Sequence, residues 1–235
     1  MFQTNPFLLI TLFVGLTLLP FVAMIATSYL KIVVVMSLIR NALGIQSIPP
    51  NMVINALAMI LTFYIMAPVM NDAWTIARDE LKPKQSAVAE ASPAATAAAT
   101  PGEMVLETEA IAKAAEPFRE FLSKHTSDRE RAFFVHTAER LWGKDVDTPA
   151  SVDPESFYIL IPSFCVSELT KAFQIGFLVY LPFIAIDIIV SNILLAMGMM
   201  MVSPVTISLP FKLLLFVMVD GWTLLIQGLV RGYLI

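Results

Sequence analysis

The chain has 235 residues, of which 57% are hydrophobic and only 14% charged, with a formal net charge of −4. A soluble domain carries about 25% charged residues, so this balance excludes an ordinary soluble globular protein and points to a membrane. No basic stripe is visible, which argues against a nucleic-acid binder, and one cysteine, Cys165, excludes an intrachain disulfide.

The charge is unevenly spread. Residues 71–158 hold 16 of the 19 acids and 10 of the 15 Lys and Arg, a local balance of −6 (10 against 16). The rest of the chain carries only Lys31, Arg40, Glu168, Lys171, Asp187, Lys212, Asp220 and Arg231. The pattern divides the chain into an N-terminal hydrophobic helical pair (1–70), a polar insert (71–158) and C-terminal hydrophobic helices (159–235).

The opening segment, "MFQTNPFLLITLFVGL", has no basic region, and no small-residue cleavage site follows it. It reads as a retained membrane segment and not as a signal peptide. Residues 7–27 are uncharged and long enough to cross a bilayer, which needs about 20 apolar residues. Pro20 is expected to kink that helix. "NALGIQSIPP" (41–50) reads as a turn, and 51–70 as the second span.

Within the insert, the Ala-rich stretch 86–102 has linker composition. Residues 103–142 read as helical. Phe118, Phe121 and Leu122 form one apolar stripe, and Phe133, Phe134, Ala138 and Leu141 a second. "HTSD" (125–128) separates two helices, with Thr126 or Ser127 capping the second and Glu130 placed for a capping box. His125 and His136 stand eleven apart, a poor metal spacing, and read as surface residues. Residues 144–156 read as a loop.

The last section opens with the apolar stretch 157–169. It continues with 173–202, thirty residues containing one charge, Asp187. As a straight helix that run is about 45 Å long against a hydrocarbon core of about 30 Å, so Pro182 and Gly198 are expected bends. "VTISLPFKLLLFVMVDGWTLLIQGLVRGYLI" (205–235) completes it. Arg40 and Lys212 flank the two short turns. The positive-inside tendency puts both turns in the cytoplasm and the insert outside, with Lys171 and Arg231 counting against. The fold class is all-α: membrane helical hairpins flanking a small helical extracytoplasmic domain.

Ionisable groups in apolar runs are costly and face a bundle interior or a watery cavity. Asp187, Lys212 and Asp220 therefore line a polar conduit, or they fix assembly through an interhelical pair of Lys212 with Asp187 or Asp220. Glu168 and Lys171, three apart, suit a pair on one helix face. Ser163, Gln174 and Asn192 suit interhelical hydrogen bonds. Cys165, in apolar company, reads as a small buried hydrophobe. No catalytic, cofactor-binding or metal-binding constellation stands out, so no enzyme is expected.

"LLAMGMMMVSP" (194–204) places four of the chain's 13 methionines, Met197, Met199, Met200 and Met201, around Gly198 and before Pro204. One reading is ordinary packing at the end of a span. The other is a deformable apolar constriction that yields to diverse side chains and holds ions back by dewetting.

Here a resemblance enters. "RNALGIQSIPPN" (40–51), "LTFYIMAPV" (61–69), "SELTKAFQIGF" (167–177), "LLAMGMMMVSPVTISLPFKLLLFV" (194–217) and "DGW" (220–222) resemble the FliP/SctR family of type III secretion export-gate proteins. The resemblance covers both hydrophobic pairs. The Ala-rich stretch 86–102 departs from it. "SPVTISLPFKL" and the N-terminus favour the injectisome type over the flagellar one.

The resemblance implies a homo-oligomer, a pentamer, that assembles with SctS-type and SctT-type proteins into a helical gate. The gate stands beside SctU-type and SctV-type components, in the bacterial inner membrane with the insert in the periplasm. It implies needle and inner-rod subunits and unfolded secreted polypeptides as partners. It also implies that Met197, Met199, Met200 and Met201 form a gasket. The contrasting readings are an ion-coupled carrier of small solutes, resting on Asp187, Lys212 and Asp220, and a purely structural scaffold.

Overall fold

A computed structural model describes residues 6–45, 48–89, 112–142, 152–199 and 201–234, and every regular element among them is an α-helix. The helices are α1 (Pro6–Ile25), α2 (Tyr29–Ala42), α3 (Asn51–Ala89), α4 (Glu116–His125), α5 (Asp128–Trp142), α6 (Phe157–Ala196), α7 (Pro204–Met218) and α8 (Gly221–Arg231). From residue 90 onward the Ala-rich stretch lies outside the described residues, as do the expected loop up to residue 151 and Met200. The chain divides into two compact units, residues 1–65 with 165–235, and residues 66–164.

Two stretches are long and apolar enough to cross a bilayer, Asn51–Asp79 in α3 and the whole of α6. Two further pairs, Phe13–Ile25 of α1 with α2 and α7 with α8, pass the same test when each is taken as one span bent by 59°. This is the helix inventory of a membrane protein. At 40 residues, α6 is about 60 Å long, twice a hydrocarbon core of about 30 Å. It joins the apolar stretches 157–169 and 173–196 in one element and runs on through Pro182. Prolines inside spanning helices are tolerated where neighbours re-satisfy the freed carbonyl.

The break in the first pair lies at Ala26–Ser28, and Pro20 sits inside α1. Likewise α3 continues to Ala89, well past residue 70. Every described side chain of α1 is exposed, Phe13 and Leu16 among them. A helix apolar all round and uncovered by its own chain is suited to lipid or to a neighbouring subunit.

In the first unit, α2 is the central element. Lys31, Ile32, Val35, Met36, Ile39 and Ala42 are buried along one stripe at helical spacing. They pack with Ile54 and Ala58 of α3, Ala172 and Phe183 of α6, Phe216 of α7, and Leu225 and Leu229 of α8. Gly176 lets α6 approach α2 closely: a Cβ there would lie 2.3 Å from Leu38 Cδ1. Small residues at such crossings are the usual means of bringing membrane helices together.

The unit formed by residues 66–164 has its own apolar centre. Phe121, Leu122, Ala138, Ile159, Leu160 and Phe164 are buried, with the Phe121 and Phe164 rings 5.8 Å apart. His125 was expected on the surface and is buried instead, its ring 4.7 Å from Phe121. Its position four residues after Phe121 places it on the apolar stripe of α4. His136 is exposed beside Glu139. On α5 the predicted stripe is only half used, since Ala138 is buried while Phe133 and Leu141 are exposed. The break at "HTSD" falls as expected. Thr126 closes α4 by donating to Leu122 O at 2.6 Å, and the Ser127 carbonyl accepts the Arg131 N–H at 3.0 Å.

Candidate functional site: a methionine turn and two buried charge clusters

Residues 197–203 form the turn between α6 and α7. Gly198 makes it possible. Its φ of +74° lies in the left-handed region that side-chain-bearing residues avoid. The Met199 N–H then bonds the Leu194 carbonyl at 3.0 Å, and the Gly198 N–H bonds that of Leu195. Such paired bonds satisfy the last carbonyls of a helix in the Schellman manner. Pro204 opens α7, where its missing N–H costs nothing. The side chains consequently project outward: Met197, Met199 and Met201 are 64%, 44% and 100% exposed.

The two helices that flank this turn also carry a polar cluster. Lys212 Nζ on α7 contacts Asp187 Oδ2 on α6 at 2.7 Å and donates to the Ala42 carbonyl of α2 at 3.3 Å. The Ser208 hydroxyl donates to Asp187 Oδ1 at 2.6 Å. Both carboxylate oxygens thus have a donor, and the ammonium caps the C-terminal end of α2, where cations are favoured. Ser208 and Lys212 stand four apart on one face of α7, so the two donors meet the carboxylate together. Of the two pairings open to Lys212, the structure adopts Asp187. Asp220 makes no ion pair among the described residues; it is exposed, in the α7–α8 turn, with φ 50°.

The second cluster is deeper. Glu168 on α6 is fully buried and receives Lys31 of α2 at 3.0 Å. Lys171 approaches its other oxygen at 3.1 Å, the local pair expected from spacing. Tyr233, just beyond α8, donates its hydroxyl to Glu168, and its ring lies under the Lys31 ammonium at 3.6 Å. Lys31 and Tyr233 were missed in the sequence because they reach Glu168 from distant segments. A lone lysine in the run "SYLKIVVV" was the available signal, since such a charge in apolar surroundings demands a partner.

Other candidates resolve differently. Ser163 donates to the Ile159 and Leu160 carbonyls of its own helix, not across helices. Gln174 and Asn192 are exposed and make no hydrogen bond among the described residues. Cys165 is half-buried, its thiol 3.7 Å from the Ile25 carbonyl. Between α6, α7 and α8 an open apolar groove of about 560 Å³ runs past Pro182, Leu215, Leu224 and Gly228.

Compared with known proteins, residues 12–229 match the FliP family. The chain belongs to the FliP family. Among its relatives is the Yop proteins translocation protein R of Yersinia pestis, 48% identical over 222 residues, covering 93% of this chain and 92% of the relative. The hypersensitivity response secretion protein HrcR of Ralstonia nicotianae is 45% identical over 226 residues, 96% of each chain. The flagellar biosynthetic protein FliP of Bacillus subtilis is 39% identical over 226 residues, 96% of this chain and 90% of the relative. The FliP-family match takes in the methionine turn and the Asp187 cluster entirely. Tyr233 lies beyond its end.

Proposed function

We propose that this chain is a core subunit of a type III secretion export gate, where copies of it surround the path that unfolded polypeptides take across the bacterial inner membrane. The observation that carries the reading is the turn at 197–203. Three exposed thioethers stand at the junction of two apolar helices, with no charge on the turn itself. Flexible thioethers accommodate many side chains without selecting one, and an apolar constriction resists ions by dewetting. Met197, Met199, Met200 and Met201 are then the seal.

Family membership supports a secretion component, and relatives named for translocation and hypersensitivity secretion are nearer in identity than the flagellar one. That difference favours an injectisome gate over a flagellar one. The uncovered apolar surfaces of α1 and of the α6–α8 groove suit further copies of the chain, a pentamer by resemblance, and SctS-type and SctT-type neighbours. SctU-type and SctV-type components, needle and inner-rod subunits and the secreted chains complete the partners. With the positive-inside tendency, the insert at 71–158 faces the periplasm. The reading is of a structural conduit and not an enzyme. Asp187 and Lys212, the strongest support for an ion-coupled carrier, neutralise each other, which weakens that alternative.

The test is ion leak. Replacing Met199, Met200 and Met201 by Ala in the assembled complex, reconstituted in liposomes, is expected to raise the resting leak. An assembled variant as tight as the parent would sink the seal.

A further inference from the structure

The methionine turn carries a reactivity that sealing does not use. A thioether is apolar until a two-electron oxidant reaches it; the sulfoxide is polar and accepts hydrogen bonds. Access and surroundings decide which methionines are open to that reaction. Among the described residues, Met36 and Met66 are buried. The other exposed methionines among the described residues, Met24, Met52, Met59, Met70 and Met218, all stand on the apolar helices α1, α3 and α7. Apolar helix faces of that kind are suited to burial against lipid or neighbouring helices. Met197, Met199 and Met201 are the exposed ones on a turn, up to the complete exposure of Met201. Space is also open beside them: nothing stands within 4 Å of where a side chain at Gly198 would begin.

We propose that Met197, Met199 and Met201 form an oxidation-sensitive modification site, at which a peroxide-class oxidant turns the apolar turn polar and loosens the barrier to ions. The proposal rests on the sealing reading above. In the step, a sulfur lone pair attacks one peroxide oxygen and the O–O bond breaks. The departing hydroxide takes up the remaining proton and leaves as water. Sulfur is oxidised by two electrons and the peroxide is reduced by the same two. Each sulfoxide then offers water a hydrogen-bonding site where dewetting requires none.

Reversal needs two electrons from thiols, as the two methionine sulfoxide reductases supply for the two sulfoxide epimers. The chain cannot supply them itself, since Cys165 is its single thiol. Modification is therefore retained until an outside reductase acts.

The experiment uses the intact complex in liposomes, treated with hydrogen peroxide, with peptide mass spectrometry and ion leak read on the same sample. The expected result is sulfoxide at residues 197, 199 and 201 ahead of Met36 and Met66, with a severalfold rise in leak. Both sulfoxide reductases together with a dithiol should restore the barrier. A variant carrying Met197→Leu, Met199→Leu and Met201→Leu, which can form no sulfoxide at these positions, should show no peroxide-dependent rise over its own untreated leak. Sulfoxide at the turn without added leak overturns the proposal, as does an equal rise in the leucine variant. The alanine variant separates the two claims. If alanine substitution leaks and oxidation does not, only the oxidation site fails; if neither leaks, the seal itself fails.

Discussion

Lys31 and Glu168 meet at 3.0 Å in the interior of the first unit, with side-chain exposures of 4% and 0%. Removing one member of such a pair leaves the other charge buried and uncompensated, at a cost of about 3–5 kcal/mol. Glu168→Ala or Lys31→Ala should therefore lower the thermal stability of the detergent-purified protein sharply. Replacing both by apolar residues of similar volume, Lys31→Met with Glu168→Leu, in a Tyr233→Phe background so that no buried hydroxyl loses its acceptor, should recover most of the loss. Lys171 does not block the rescue, because its side chain is 40% exposed and can turn to solvent. If the double variant is as unstable as the singles, the pair's charge has a role beyond its own compensation.

Tyr233 tests the same cluster from the other end. Tyr233→Phe keeps the ring beneath Lys31 but removes the hydroxyl that Glu168 accepts, a hydrogen bond to a charged group worth about 1.5–3 kcal/mol. Tyr233→Ala removes both contacts. The expected order of stability in denaturant unfolding is parent, Phe, then Ala. Equal stability of the Phe variant and the parent would show that the ring alone matters.

Asp187→Asn should keep a hydrogen bond with Ser208 while stripping Lys212 of its counter-charge. Asp187 is one-third exposed, so water softens the effect, and a loss of about 1–3 kcal/mol is expected. Adding Lys212→Met should restore stability and assembly. Secretion measured in that double variant separates the roles: a structural pair predicts recovery, whereas a carrier that moves ions through Asp187 predicts none.

These clusters show what the sequence makes legible. Glu168 and Lys171 lie on one helix, so spacing alone pairs them. Lys31 and Tyr233 belong to the same cluster, but only the packing of α2 and the end of α8 on α6 brings them there. The spans were readable from apolar length, yet their ends were not. Nothing local stops α3 at residue 70, and α6 passes its prolines because a membrane helix can have its freed carbonyls met by neighbours. The stripe on α5 failed at Phe133 and Leu141 because periodicity marks a face without saying what covers it. His125 failed the opposite way: its polarity suggested a surface, while its place on the Phe121 stripe buried it.

Met201, fully exposed at the turn, is the position from which a scaffold and a conduit differ most clearly. A photo-crosslinking amino acid placed there should form adducts with a secretion substrate arrested in transit by a folded C-terminal domain. The same probe at buried Met36 should form none. Substrate adducts absent from position 201, in a strain that still assembles the complex, favour a scaffold.

Asp220, expected among the charges within the apolar runs, has a backbone role in the structure. Its φ and ψ of 50° and 46° are left-handed, and its carboxylate does not cap α8. Left-handed backbone costs most residues about 1–2 kcal/mol, and Asp, Asn and Gly tolerate it best. The residue after it must be small, because a Cβ at Gly221 would fall 2.3 Å from the Phe216 ring. Together they turn the chain through 59° between α7 and α8. Asp220→Asn and Asp220→Gly should therefore assemble and secrete like the parent. Asp220→Val, β-branched at a positive φ, should lose about 1–2 kcal/mol or more in unfolding experiments and reduce the yield of complex. A carboxylate needed for its charge predicts the other pattern, with Asn and Gly failing alongside Val.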